Sequence, residues 1–89
     1  MIGMYILLVY DVAQERVTRV MKICREYLDH VQNSVFEGEI NSAGYKELES
    51  RIKKVIVKEY DSILVYELWK NNFKRKIIGL EKKEKSNFM

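Results

Sequence analysis

One carboxylate stands directly after a long apolar run. Asp11 follows seven apolar or aromatic residues, Met4–Tyr10. Carboxylate oxygens are hard ligands of the kind that Mg²⁺ prefers, and this ion tolerates one or two of them while it keeps several waters. The spacing Asp11-x-x-Gln14 also has the form of a capping box, in which a carboxylate accepts backbone N–H groups at the start of a helix. The residues alone therefore leave two roles open for Asp11, a metal ligand and a helix cap.

Two arginines follow Asp11 closely. Arg16 and Arg19 lie in the first turn and a half of the helix that the next segment predicts. Because a guanidinium fork matches the oxygens of a phosphate group, both side chains could hold a phosphate beside Asp11. The alternative for both is a solvated helix face. The formal net charge of +3 favours an anionic partner without naming it.

The apolar run before Asp11 has the features of a central strand. Met4–Val12 is apolar almost without interruption, whereas a strand with one wet face would alternate apolar and polar residues. We therefore expect a strand that is buried on both faces, with Asp11 at its exit.

The rest of the chain reads as alternating helices and strands. Apolar residues at helical spacing predict a first helix over about 14–29 and a second one that Asn41 or Ser42 caps. The segment 31–40 is either one bent strand or a small hairpin, because its alternation fails near Glu37 and Gly38. Further strands are predicted over 62–69 and 74–80, joined by a turn at Asn71 and Asn72.

Two helices can cover only one face of the sheet that these strands form. The strands 4–12 and 62–69 are nevertheless apolar on both faces. The simplest cover for the second face is the same face of another copy, so the sequence predicts an isologous homodimer.

Length and composition predict one small domain. The chain has 89 residues and no proline, and we expect a single domain over 4–80 followed by a charged, flexible tail over 81–89. The lone cysteine, Cys24, is expected in the core and favours a reducing compartment. The apolar opening is too short to span a membrane and no basic segment precedes it, so we expect a cytoplasmic protein with no membrane partner.

Two stretches in this order resemble a known family. Tyr10-Asp11-Val12 is followed by Arg16 and Arg19, and then by the stretch Val31–Glu39, which reads VQNSVFEGE. Over about 4–80 the chain resembles the small CRISPR-associated endoribonuclease family, the second core protein of CRISPR spacer acquisition. The resemblance implies an α+β, ferredoxin-like sandwich whose antiparallel sheet carries two helices on one face and forms a homodimer through the other. It also implies that 31–40 supplies two strands and that 74–80 extends the partner's sheet.

The resemblance implies a function as well. Some family members are metal-dependent endonucleases that cut single-stranded RNA or duplex DNA, and the family acts with the CRISPR integrase. Asp11 would be the catalytic, metal-ligating residue, one per subunit, with Mg²⁺ or Mn²⁺ as cofactor. The ion could activate a water and neutralise charge at the phosphodiester.

The nucleic-acid contacts implied by the resemblance come from both stretches. Arg16 and Arg19 would hold the scissile phosphate, and Tyr10 and Phe36 could stack on or orient nucleic acid, although aromatic residues at strand ends more often belong to a core. His30 departs from the family, which often has arginine there, but it could contact phosphate when it is protonated.

Two other functions compete with the endonuclease. The same dimer could be a non-catalytic scaffold that bridges the integrase and spacer DNA, in which case basic residues over 70–76 would matter more than Asp11. An RNA-recognition-motif protein has a comparable sheet, but its glycine- and aromatic-rich signature is missing from this sequence. Such a protein also needs its apolar sheet face to be free.

Overall fold

The computed structural model describes residues 3–81 of the chain. Five strands and two helices follow one another in the order β1 (Met4–Asp11), α1 (Gln14–Arg25), β2 (Asp29–Gln32), β3 (Val35–Ile40), α2 (Ser42–Lys53), β4 (Ser62–Leu68) and β5 (Phe73–Gly79). The predicted tail falls almost wholly on 82–89, which lies outside the described residues. No helix within 3–81 is long and apolar enough to cross a membrane.

The five strands form one antiparallel sheet in the order β2-β3-β1-β4-β5. Alternate residues of the central strand β1 are buried, from Met4 to Tyr10, and they pack in one core with the apolar sides of α1 and α2. The core also takes in Cys24, whose burial raises the pKa of the thiol to about 12. The predicted α+β, ferredoxin-like arrangement is confirmed.

The segment after α1 resolves the choice between a bent strand and a hairpin. β2 and β3 are two strands of a hairpin, as the resemblance implied, and the reversal lies at Asn33 and Ser34, not near Glu37. Asn33 has φ of 43°, a left-handed conformation that asparagine tolerates better than most residues. The predicted extent of α1 to residue 29 is wrong. Glu26 is the C-cap, the N–H groups of Glu26 and Tyr27 donate to carbonyls three residues back, and β2 begins at Asp29.

The resemblance implied that 74–80 extends the partner's sheet, and this stays a prediction. Within its own chain β5 lies at the edge of the sheet and pairs with β4, from Leu68–Phe73 to Ser62–Gly79. A tight turn makes this pairing local, since Trp69 N–H donates to the Asn72 carbonyl at 2.7 Å. The second helix starts as expected, with the Asn41 side chain accepting a hydrogen bond from Gly44 N–H at 2.7 Å.

Within residues 3–81, no second layer lies on the face of the sheet opposite the helices. This face carries the other alternate residues of the strands, and these are partly or largely exposed. Most are apolar or aromatic: Tyr5, Leu7, Val9, Val35, Leu64, Tyr66, Leu68, Phe73 and Ile77. We call this surface the open face. Its existence confirms that the two helices cover one side only.

Gly79 closes β5 where no other residue fits. Its φ is +93°, and a Cβ atom added there would overlap the backbone carbonyl oxygen of Asp61. A substitution therefore meets both a disfavoured backbone conformation and a backbone clash.

We expect Gly79→Ala to lower the free energy of unfolding by at least about 2 kcal/mol. Urea denaturation followed by circular dichroism measures this loss. Gly3→Ala is the matched control, because a Cβ atom there makes only ordinary contacts of 3.4 Å or more. Equal stabilities of the two variants would contradict the conformational role of Gly79.

Candidate active site

Asp11 is the last residue of β1, exposed, and on the open face. It lies opposite Ser62 of β4, and its neighbour Tyr10 donates its N–H to the Ser34 carbonyl in the β2–β3 turn at 3.0 Å. A shallow pocket of about 440 Å³ opens beside it. The pocket is lined by Tyr10, Asp11, Val12, Val17, Met21, Asn33 and Ser34. Asp11 thus lies between the open face and a pocket that both apolar and polar residues line.

The structure decides against Asp11 as the cap of α1. The N-cap position belongs to Ala13, whose side chain makes no hydrogen bond, and Asp11 lies two residues before it. The helix cap that the capping-box spacing predicted is therefore wrong. The role of Asp11 as a metal ligand stays a prediction.

A different carboxylate serves the start of α1. Asp61, just before β4, is completely buried and accepts the Ala13 N–H at 2.9 Å and the Val57 N–H at 2.8 Å. Its two oxygens also accept hydrogen bonds from Arg16, one from Nε at 2.6 Å and one from Nη2 at 3.0 Å. Sequence reasoning missed Asp61, since it is 48 residues from Ala13 and carries no local motif.

These contacts fix the charge of Asp61. The hydrogen bonds from Arg16, and those from the N–H groups of Val57 and Ala13, hold the pKa of the Asp61 carboxyl well below its usual range despite the opposing effect of burial. The same pairing raises the pKa of Arg16. The two side chains form a permanently charged pair at neutral pH.

The two predicted phosphate ligands therefore differ. The Arg16 side chain is only 13% exposed and is directed to Asp61, with a longer contact of 3.5 Å to Glu15. Arg19 is exposed on α1, one turn further along. Of the two arginines, Arg19 is the one with its side chain in solvent, where a phosphate could reach it.

The aromatic residues of the predicted site lie mainly in the core. Phe36 is completely buried and Tyr10 is 6% exposed, with their ring centroids 6.2 Å apart. His30 is exposed and stacks on Phe36 at 4.6 Å, with Nε2 2.7 Å from the Asn33 carbonyl oxygen. In this chain Tyr10 and Phe36 support the strand end and the β2–β3 turn, and His30 offers the accessible ring.

The donor set at Asp11 is compatible with a hard cation only in part. Within 3–81 no group of three or more His, Cys, Asp or Glu side chains is placed to hold a metal ion. The described neighbours of Asp11 include the hydroxyl-bearing residues Ser34, which lines the same pocket, and Ser62, which lies opposite on β4. Mg²⁺ accepts so few protein ligands when waters complete its shell, and a second copy of Asp11 would strengthen the site.

Comparison with known proteins identifies relatives along the whole sheet. Residues 4–76 match the family model described as CRISPR associated protein Cas2. The protein named CRISPR-associated endoribonuclease Cas2 from Thermococcus kodakarensis is 46% identical over 79 residues, which is 89% of this chain and 92% of the relative. A relative from Thermodesulfovibrio yellowstonii, named CRISPR-associated endoribonuclease Cas2 3, is 41% identical and covers 96% of this chain and 98% of its own length.

Solved structures agree with these relatives. A crystal structure titled as cas2 superposes with a TM-score of 0.73 at 44% identity, covering 99% of this chain and 100% of the other. The Cas2 of Streptococcus pyogenes gives a TM-score of 0.69 at 38% identity, over 76% of this chain and 89% of its own.

The buried pair makes a prediction about stability and pH. Asp61→Asn keeps the shape of the side chain but removes its charge, and we expect the free energy of unfolding to fall by about 3 kcal/mol at pH 7. Because the folded-state pKa of Asp61 is lowered, the difference between wild type and variant persists above about pH 5 and shrinks as the pH falls below about 4. Urea denaturation at several pH values measures it.

Glu26→Gln is the control for this variant. The Glu26 carboxylate also accepts two hydrogen bonds from one arginine, Arg51, at 2.6 and 3.1 Å, but this pair is exposed. We expect it to cost less than about 1 kcal/mol. A difference between wild type and Asp61→Asn that does not change down to pH 2 would contradict the charged state assigned to Asp61.

Proposed function

The chain belongs to the Cas2 family of CRISPR-associated proteins, and from this membership we propose that it is a metal-dependent endonuclease that acts as a homodimer. The observation that carries the proposal is the place of Asp11, which is exposed at the end of the central strand, on an apolar face that no other part of the described chain covers. Relatives over nearly the full length carry the name endoribonuclease, so single-stranded RNA is the first substrate to test.

The homodimer follows from the open face. Burial of a largely apolar sheet face away from water is favourable. The same face of a second copy can supply the cover, because every copy of the protein carries it. Two copies packed through this face, with both β1 strands ending on the same side, would also bring a second Asp11 toward the first. That would supply a second carboxylate.

Charges on the open face favour one orientation of that dimer. One register line across the sheet runs Asp29, Glu37, Leu7, Tyr66, Arg75, so it is acidic at the β2–β3 side and basic at β5. A two-fold axis parallel to the strands puts Arg75 of one copy at the level of Glu37 and Asp29 of the other. An in-plane axis perpendicular to the strands would place each strand over its own counterpart and forgo this pairing.

The favoured orientation has a consequence for the site. With the axis parallel to the strands, both central strands end on the same side of the dimer, so the two Asp11 residues lie at one end. The perpendicular axis would send them to opposite ends. Charge pairing and a shared metal site therefore require the same arrangement.

The chain's own residues would divide the work as follows. The two Asp11 carboxylates would hold Mg²⁺ or Mn²⁺, which when bound supplies an activated water and positive charge at the phosphodiester. Arg19 would hold a phosphate of the strand to be cut, and His30 would offer a ring beside the β2–β3 turn. Tyr10 and Phe36 would keep the strand end in place from the core.

The biological setting is proposed from the family. The dimer would act with the CRISPR integrase in spacer acquisition, where duplex DNA is a second substrate to test. The other candidate function is a scaffold for the integrase and DNA without nuclease activity, which the exposed basic residues Lys70, Lys74 and Arg75 of the β4–β5 hairpin favour.

The nuclease proposal predicts the effect of one isosteric change. Asp11→Asn should lower the metal-dependent cleavage of single-stranded RNA by at least about 100-fold, since an amide is a poor ligand for a hard cation and carries no charge. Cleavage of labelled RNA and duplex DNA, with Mg²⁺, Mn²⁺ or chelator, measures the loss.

Glu47→Gln is the matched control, because it removes an exposed carboxylate of α2, away from the site. It should cut within about twofold of wild type, as surface charges outside the site usually have small effects. If wild type does not cut, or if Asp11→Asn cuts as fast as wild type, the nuclease proposal fails and the scaffold takes its place.

The proposed dimer orientation predicts a charge-swap result. Glu37→Arg and Arg75→Glu should each raise the dimer dissociation constant by about tenfold, because each variant sets like charges against each other across the interface. The double variant should recover most of that loss. Sedimentation equilibrium at low salt measures the three constants against wild type.

Lys22→Glu reverses a charge on the exposed side of α1 and should leave the dissociation constant unchanged. Recovery in the double variant is the diagnostic result, since independent sites would simply add their losses. A double variant weaker than either single one would rule out the axis parallel to the strands.

A further inference from the structure

The connector that carries Asp11 into α1 is held by one side chain from elsewhere in the chain. Only Val12 and Ala13 separate the end of β1 from the start of α1. The Ala13 N–H donates to the Asp61 carboxylate at 2.9 Å. Since α1 has no side-chain cap of its own, Asp61 is what satisfies this backbone group at the helix entrance.

Asp61 is itself fixed from several directions. Its N–H donates to the Val57 carbonyl at 2.8 Å, while its carboxylate accepts the Val57 N–H at 2.8 Å. Its carbonyl accepts Leu80 N–H at 2.8 Å, next to the close approach of Gly79. The carboxylate that holds the connector therefore belongs to a rigid junction of the α2–β4 loop with the end of β5.

The same junction holds Asp11 from a second side. Ser62, the residue after Asp61, is paired with Asp11 across the β1–β4 ladder. Two consecutive residues thus contact the chain around Asp11. Ser62 pairs with Asp11 itself in the sheet, and Asp61 accepts the N–H of Ala13, two residues after Asp11. Arg16 completes the arrangement, because it joins the first turns of α1 to both oxygens of Asp61.

We propose that Asp61 and Arg16 are positioning residues, which fix the β1–α1 connector and thereby the place of the Asp11 carboxylate. This inference rests on the proposed function, since it concerns the same site. It assigns Arg16 to the support of the site, where the resemblance assigned it to the scissile phosphate. Asp61 and Arg16 touch neither the metal nor the substrate in this assignment.

A second arginine–carboxylate pair separates positioning from general stabilisation. Glu26 and Arg51 join the other end of α1 to α2, also through two nitrogens. This pair has the same chemistry but lies at the end of α1 remote from Asp11 and its connector. If ion pairs on α1 mattered only for stability, the loss of either would act on cleavage only through the folded fraction.

The test compares Asp61→Asn with Glu26→Gln and wild type, as dimers, at a temperature where all three are folded. We expect Asp61→Asn to lower kcat for RNA by about tenfold or more, with KM within about twofold, because the reacting group is displaced while the RNA contacts remain. The Mn²⁺ concentration for half-maximal cleavage should rise several-fold. Glu26→Gln should leave all three quantities within about twofold.

Arg16→Lys provides a milder second variant in case Asp61→Asn does not fold. It keeps the positive charge but loses the fork, so it should change kcat in the same direction by a smaller factor. A folded Asp61→Asn or Arg16→Lys dimer with wild-type kcat and Mn²⁺ dependence would overturn the positioning role.

Hydrogen–deuterium exchange gives a readout that does not need cleavage. Asp61→Asn should speed exchange in peptides that cover 11–16, while those that cover 45–52 and 63–68 remain as in wild type. If wild type does not cut RNA, the proposed nuclease fails by itself, and exchange still decides whether Asp61 holds the connector. Unchanged exchange over 11–16, or a uniform increase over the whole chain, overturns the inference.

Discussion

The structure depends on one constraint: its two helices can cover only one face of its five-stranded sheet. Five strands present two faces, and α1 and α2 cover only one of them. The central strand β1 shows the result residue by residue, because Met4, Ile6, Leu8 and Tyr10 enter the core while the residues between them stay on the open face. Residues 3–81 hold no further helix or strand for a second layer, and in the proposed dimer another copy covers the open face.

This constraint also explains where chemistry can occur. A carboxylate in the middle of the open face would be buried without a partner once the face is covered, which is costly. At Asp11 the strand has just ended, so in the proposed dimer this side chain would stay in contact with water beside the interface. The open face is apolar in its middle rows and charged at its sides, with Glu37 and Arg75 in one line. The proposed dimer would bury the apolar rows and could pair these charges.

The sequence predicted most of the framework because its signals are local. The apolar run before Asp11, the helical spacing in α1 and the Asn41 cap each depend on neighbours within a few residues. Errors arose where local signals were weak. The end of α1 at Arg25 has no glycine or proline to mark it, and the hairpin reverses at Asn33 instead of at the glycine that follows. The role of Asp61 could not be predicted, since its partners Ala13 and Arg16 lie more than forty residues away along the chain.

Asp61 also shows why a buried charge can be retained where an apolar residue would serve stability as well. Replacing a buried ion pair with well-packed apolar side chains often stabilises a protein, so stability alone gives little reason to keep Asp61 and Arg16. Apolar contacts, however, have no direction. The Asp61 carboxylate accepts hydrogen bonds from Ala13, Val57 and Arg16 at once, and it thereby fixes the orientation of the β1–α1 connector as well as its burial. The proposed site needs such direction next to Asp11, because a ligand carboxylate that shifted by an ångström would no longer meet its partner across the proposed dimer.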